Sequence, residues 1–293
     1  MSSTSDQQRG RRAWLLLMPS AAIYIAAFFL PLALLAIASF KPSEVTGGAL
    51  DGSLTTANYR AFFNDGVTSS IFLSTVRLAA IVTVTCLLLG YPLALFMRRA
   101  GPKLRAVLLL IVVSPLLTSV IVRNVAWLLV LGREGLLNVA LRNAGLIDAP
   151  LPLIYNTFGV VVGVTHVYLS FLVLPVFGSL LAINPAVEES AASLGASPFQ
   201  VFLRVTLPLT LPGAVAGATL VFILTMGVYL TPVIMGGSFV TTLPMVITDL
   251  VRNQFEWSKA SAFAIILLLF VALIMAVSQR IEQRLPGSQR EKT

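Results

Sequence analysis

The sequence predicts an all-α protein: a polytopic membrane helix bundle with about six transmembrane helices in a single domain, residues 1–293, both termini cytoplasmic. Three observations predict it. Hydrophobic residues make up 57% of the chain and charged ones 11%, where a soluble domain carries about 25% charged residues. Six apolar runs, approximately 13–40, 71–97, 104–131, 156–182, 213–235 and 259–279, each reach the roughly 20 residues that cross a bilayer as a helix. Inside lipid the backbone must satisfy its own hydrogen bonds, so runs of this length are helices and not barrel strands. Lysine and arginine, finally, concentrate in alternate connecting segments, as they do on the cytoplasmic face of membrane proteins.

Taken in order, the polar tail 1–12 carries Arg9, Arg11 and Arg12. Arg11-Arg12 resembles a twin-arginine export signal. The apolar run from Ala13 to Phe40 is too long for a signal core, and no small-residue cleavage site follows it, so it is expected to stay as the first span. After it, KPSEVTGGALDG is irregular because proline and glycine end the helix. TTANYRAFFND then suits a short interfacial helix with Tyr59, Phe62 and Phe63 toward the membrane. The second run holds the only cysteine, Cys86, so no internal disulfide forms.

Arg98, Arg99, Lys103 and Arg105 separate the second run from the third. In the next loop, Leu136, Leu137, Val139, Ala140, Leu141 and Leu146 predict a short amphipathic helix. The loop 236–258 opens on Gly236-Gly237 and closes at Trp257, which with Trp14 fits an interfacial belt. The tail 280–293 is again basic, through Arg280, Arg284, Arg290 and Lys292. Prolines at 19, 31, 92, 115, 175 and 232 mark kinks or cavity walls, or the ordinary proline content of membrane helices. The net charge of +8 therefore orients the chain in a membrane, and nucleic acid is not a partner.

Several chemistries are missing. No G-x-x-x-x-G-K-[ST] occurs, so the chain has no phosphate-cradling loop of its own. His166 is the only histidine. It is expected to be packed and hydrogen-bonded; a lone histidine excludes a histidine-built metal site, and its place inside an apolar run argues against a Ser–His–Asp triad. No run of intramembrane carboxylates suggests a proton relay. The chain is thus expected to be non-catalytic, to bind no metal or cofactor itself, and to take its energy from elsewhere.

One polar insert, 184–212, interrupts the apolar chain as EESAASLGASPFQVFLRVTLPLTLPG from Glu188 to Gly213. Asn184-Pro185 reads as an N-cap and first helical residue. A helix over Ala186–Leu194 follows, which Gly195 ends in a left-handed conformation. Ser197 and Gln200 have capping-box spacing at the start of a second helix. Leu207-Pro208 and Leu211-Pro212 are expected to bend the chain into the fifth span. Ser190, Ala191 and Ala192 keep the first helix slim. The insert suits either a mechanical contact with another protein or a hairpin packed on its own spans.

The insert closely resembles the EAA loop of permease subunits from binding-protein-dependent ABC importers: E-A-A, three residues, Gly, nine residues, Ile, one residue, Leu-Pro. Glu189-Ser190-Ala191 fill the first positions and Gly195 the glycine. Val205 stands for the isoleucine, and Leu207-Pro208 close the motif. The segments SPLLTSVIVRNVAWLLVLGREGLLN and YLTPVIMGG are similar to the spermidine/putrescine-type branch.

The resemblance implies a type I importer permease in the bacterial cytoplasmic (inner) membrane. It implies a homologous second permease, two ABC ATPase subunits that bind ATP and Mg, and an extracytoplasmic solute-binding protein. The coupling residues it points to are Glu189, Ser190, Ala191, Gly195, Ser197, Val205, Leu207 and Pro208. Glu189 should anchor the loop, through the ATPase or through the loop's own turn. A polyamine such as spermidine or putrescine is the implied solute, with Glu134, Asp148, Asp249 and Glu256 compatible with it.

Within the bundle, Arg123, Asn124 and Trp127 of the third span and Tyr229 and Thr231 of the fifth are the candidate pathway residues. A central arginine costs roughly 2.5–3.5 kcal/mol to insert, so it faces a partner or a wet cavity, or snorkels outward. Two alternatives compete with the importer: an ion-coupled secondary transporter, which requires intramembrane carboxylates and related halves, and a membrane assembly or signalling protein without transport.

Overall fold

The apolar runs fold as helices, and no strand occurs among the described residues. The computed structural model describes residues 3–42 and 53–285, with backbone only at 3–17 and 21. The irregular stretch expected after Lys41 and the tail beyond 285 fall largely outside the described residues, as do the side chains of Arg9, Arg11, Arg12 and Trp14. Five helices are long and apolar enough to cross a membrane, and up to seven spans result if each of two bent pairs is one more.

The contacts divide the chain into two units. The first holds α1 (Ser3–Ser39), α2 (Ala57–Asn64) and residues 247–266. Here α2 forms where a short interfacial helix is expected. Asn58 fixes it by donating to the carbonyls of Ser39 and Lys41 at 3.0 and 2.7 Å. Its aromatic residues divide: Phe62 is buried edge-on against Phe263, while Phe63 is exposed.

The second unit is built on α3 (Gly66–Arg99), α7 (Thr157–Ala182) and α10 (Leu207–Met226), which pack on one another. Its buried apolar residues come largely from these three helices, among them Val82, Cys86, Leu172, Val176 and Val221. Small residues permit the close approach, as at helix crossings in membranes generally. A Cβ on Gly213 would lie 2.6 Å from the carbonyl oxygen of Pro175.

Two of the expected spans are corrected. The run 104–131 is not one helix but two, α4 (Pro102–Val113) and α5 (Val120–Leu131), separated by a tight 3-10 turn at Ser114–Leu117. The bent pair meets at 106°. Pro115 lacks the N–H that the helix needs, and Thr118 and Ser119 turn extended, with ψ of 146° and 134°.

The fifth run, expected over 213–235, is shifted toward the insert. Helix runs from Pro198 to Met226 and stops there; Pro232–Gly236 is a separate π-helical turn. Pro208 and Pro212 do not bend the chain out of the insert as expected. A π-helical turn at Phe202–Thr206 precedes Pro208, and the amide of Leu207 reaches back to the carbonyl of Phe202. The extra residue in that turn accommodates the proline ring inside a continuous helix.

α6 (Leu136–Asn143) forms as its apolar periodicity predicts. Asn138 is fully buried and holds the segment after α5. Its Nδ2 donates to the carbonyls of Gly132 and Leu151 at 2.9 and 3.0 Å, and its Oδ1 accepts from the Leu151 amide at 2.8 Å.

Candidate functional site

The insert folds from its own local signals. α8 (Pro185–Ser193) starts on Asn184, whose side chain accepts from the Ala186 amide, with Pro185 in the first turn. The helix is shifted by one residue from the expected Ala186–Leu194. Gly195 ends it at φ +88°, a conformation that costs other residues about 1–2 kcal/mol. Ser197 and Gln200 form the expected capping box at the head of α9 (Pro198–Val201). Leu194 and Phe199, either side of the glycine turn, are 89% and 68% exposed, so the slim helix is flanked by apolar surface that no described residue covers.

The loop's own turn does not engage Glu189, one of the two anchorings expected for it. Glu189 is exposed, and its carboxylate has no hydrogen-bond or ion-pair partner among the described residues. The preceding Glu188 is the residue tied into the chain. Arg98 grips it with two nitrogens, at 2.8 and 2.9 Å, and the Thr206 hydroxyl donates to it at 2.6 Å. Thr210 donates to the Thr206 carbonyl, and the Thr210 and Tyr91 hydroxyls meet at 2.6 Å.

Tyr91 and Arg98 are seven residues apart, hence on one face of α3. One polar chain therefore links α3, α8, the π-turn and α10. Burial pushes the Glu188 carboxyl up, but the hydrogen bonds from Arg98 and Thr206 and the charges of Arg98 and Arg99 outweigh it and hold the group below the usual carboxylate value. Arg105 closes the end of α3 by donating to the carbonyls of Met97, Arg98 and Ala100. These are carbonyls that a helix C-terminus leaves without intrahelical partners. Within the motif, Val205 and Leu207 are half-buried on the same turn, and Ser190 bonds back to the Ala186 carbonyl.

Of the five candidate pathway residues, Arg123, Asn124 and Trp127 lie within about one turn of α5, and Asn124 brings Thr231 to it. Arg123 is buried and donates to the Pro115 carbonyl at 2.7 Å and to Thr118 Oγ1 at 3.1 Å. These bonds fasten the break between α4 and α5. Asn124 and Thr231 meet at 3.3 Å, both buried. The Trp127 indole donates to His166 Nδ1 at 3.3 Å, and His166 is exposed on the chain surface instead of packed. Tyr229 is half-buried in the segment after α10.

Two adjoining cavities in the second unit are lined by other residues. One of about 820 Å³ has Arg133, Leu153, Tyr155 and Asn156 in its wall; the other, about 360 Å³, has Ser74, Arg77, Thr241 and Thr242. Thr157 and Phe239 line both. Arg77 went unremarked in the sequence, although it is the single charged residue of the run 71–97, which is the signal that marks it. None of the acids expected to suit a polyamine lines either cavity. Glu134 pairs with Arg142 at 2.8 Å, Glu256 with Lys259 at 3.1 Å, and Asp249 accepts from Asn253 and Gln254.

Residues 87–286 match the family model described as the binding-protein-dependent transport system inner membrane component. The chain belongs to that family. This permease is 32% identical to the spermidine/putrescine transport system permease protein PotB of Haemophilus influenzae over 78% of its own length and 79% of the relative's. It is 34% identical to the molybdenum transport system permease protein ModB of Mycobacterium bovis over 69% and 75%.

The fold matches a chain of a bacterial alginate ABC transporter, crystallised with its pentasaccharide-bound periplasmic protein, at a TM-score of 0.73. The match covers 97% of the permease and 98% of that chain at 18% identity. The expected family, helical membrane fold and bacterial inner-membrane location are thereby borne out: it is a multi-pass ABC importer permease.

Proposed function

We propose that this permease is a non-catalytic subunit of an ATP-driven importer, in which it forms the route for a small organic solute together with a second permease. Separate ATPase subunits dock on the loop 184–212, and a binding protein delivers the solute from outside. The observation that carries this reading is the build of the insert. A capped helix, a left-handed glycine and a capping box make a stiff element, its apolar flanks Leu194 and Phe199 are uncovered, and Glu188 ties it to α3. Such an element transmits displacement; a floppy loop does not. No intramembrane carboxylate pair among the described residues supports an ion-coupled carrier instead.

A polyamine is the solute that the PotB relatives' names suggest. The arginines lining the two cavities support a second reading, a solute carrying an anionic group.

In this orientation the insert is cytoplasmic. Cysteines at 145 and 238 are expected to label from outside and one at 197 from inside; labelling of 197 from outside overturns the topology. The functional test reconstitutes the permease with its ATPase, partner permease and binding protein. Gly195→Val and Glu189→Lys are expected to insert normally and still lose most substrate-stimulated ATP hydrolysis and uptake, about tenfold: the first puts a penalty of about 1–2 kcal/mol on a small docking element, and the second reverses the charge of the exposed carboxylate that this reading offers to the ATPase. Normal ATPase binding and normal coupling in both variants leave the insert as an ordinary interfacial hairpin.

A further inference from the structure

Arg77 is the least explained charge in the second unit. It is exposed on α3 and has no hydrogen-bond or ion-pair partner among the described residues. It lies 21 residues before Arg98, so about 30 Å along the helix, close to the thickness of a bilayer's hydrocarbon core. In the orientation proposed above, with Arg98 on the side of the insert, that spacing carries Arg77 toward the opposite boundary; it lines the 360 Å³ cavity. The cavity wall also carries Ser74, Thr157 and Thr241, whose hydroxyls have no partner among the described residues, and Thr242, whose hydroxyl is taken by the Val228 carbonyl.

That wall is held in place. Thr75, one residue from Ser74, accepts from the Leu243 amide at 2.9 Å and fastens the 241–243 segment to α3. The neighbouring 820 Å³ cavity, sharing Thr157 and Phe239, presents a second arginine without a partner among the described residues, Arg133. The adjacent Glu134 does not neutralise it, being engaged by Arg142. Across both cavities there are two guanidinium groups and no carboxylate. Cavities of this size hold small ligands, and their few polar groups set what is accepted. A dication meets only like charge here, whereas an oxyanion meets a guanidinium fork with hydroxyl donors around it.

We propose that the cavity at Arg77 is an oxyanion site at the outer mouth of the transport route, where a carboxylate or comparable anionic group of the passing solute is received. This rests on the importer reading above and replaces the cationic polyamine with a solute that bears an anionic group. Arg77 supplies the charge, Ser74, Thr157 and Thr241 supply hydroxyl donors, and Arg133 draws the anion in through the adjoining cavity. The same chemistry would accept a lipid phosphate, so the test separates the two sources.

The experiment uses the reconstituted complex with Cys86→Ala and a reporter, Ile71→Cys, in the wall of the same cavity and outside the proposed donors. Its reaction is timed with a sulfonate-bearing and with a trimethylammonium-bearing methanethiosulfonate. The anionic reagent is expected to be favoured, and Arg77→Gln to lower that preference roughly tenfold while Arg77→Lys retains it. Millimolar succinate or glutamate is expected to slow labelling in the Arg77 protein and not in Arg77→Gln, with putrescine ineffective, in vesicles of phosphatidylcholine alone.

Protection by putrescine, protection indifferent to Arg77→Gln, or no protection by either acid overturns the proposal. Protection that appears only when phosphatidylglycerol is added, and ignores the soluble acids, assigns the site to lipid and overturns it as well. ATPase stimulation by the binding protein is measured on the same vesicles. Its absence defeats the importer reading, whereas its presence with a failed protection assay defeats only the oxyanion site.

Discussion

Glu188→Lys is expected to remove nearly all uptake from the assembled transporter while the permease still inserts. The substitution sets an ammonium against the guanidinium of Arg98, with Arg99 next to it, where the native pair makes two bonds of 2.8 and 2.9 Å. Both side chains are less than a quarter exposed, so solvent screens the repulsion only in part. Losing charge-assisted bonds in such a place costs about 1.5–3 kcal/mol each, enough to detach α8 from α3 without unfolding the helices packed around α7. Arg98→Glu should do comparable damage, and the exchanged pair Arg98→Glu with Glu188→Lys should recover a measurable part of the uptake. Two single variants at wild-type uptake would show that α8 needs no tether to α3.

The pH dependence follows from the same pair. The folded carboxyl titrates below its ordinary value. Its stabilising contribution is therefore complete above the unfolded value of about 4.3 and is lost as pH falls through the lower folded value. Glu188→Gln should flatten that acid limb of the stability curve.

The second large effect is expected at Arg123. Arg123→Ala removes the charged donor at the break between α4 and α5: the Pro115 carbonyl keeps only the Thr118 hydroxyl at 3.0 Å and the Thr118 amide at 3.5 Å, and the Thr118 hydroxyl and carbonyl lose Nη1. Pro115 is buried, so water does not replace the lost bond there. A loss of about 1.5–3 kcal/mol follows from removing the charged donor. The detergent-solubilised permease should melt several degrees lower, and Arg123→Lys should recover part of this, because one nitrogen, Nη1, makes all three bonds and an ammonium supplies several donors from a single nitrogen. Unchanged melting in Arg123→Ala would mean that the break is held by the backbone alone. Uptake separates the two roles considered for this residue: a fastening residue lowers the amount of folded transporter, whereas a pathway residue changes the KM of what remains.

The sequence by itself determined the membrane fold and the build of the insert. Both rest on short-range physics. Apolar runs must be helical in lipid, and Asn184, Pro185, Gly195, Ser197 and Gln200 act on amides within a few residues of themselves. Only the tertiary structure decided which of two adjacent glutamates is tied to the chain, because that depends on how α8 lies against an arginine 90 residues away. Likewise, Pro115 breaks its helix while Pro208 is carried inside one, since Arg123 closes the first break and a π-turn absorbs the second. The same limit hid Arg77. Its run marks it as an arginine in an apolar segment, but whether it meets lipid, a carboxylate or a cavity is set by what α7 and the 239–242 segment bring to its side.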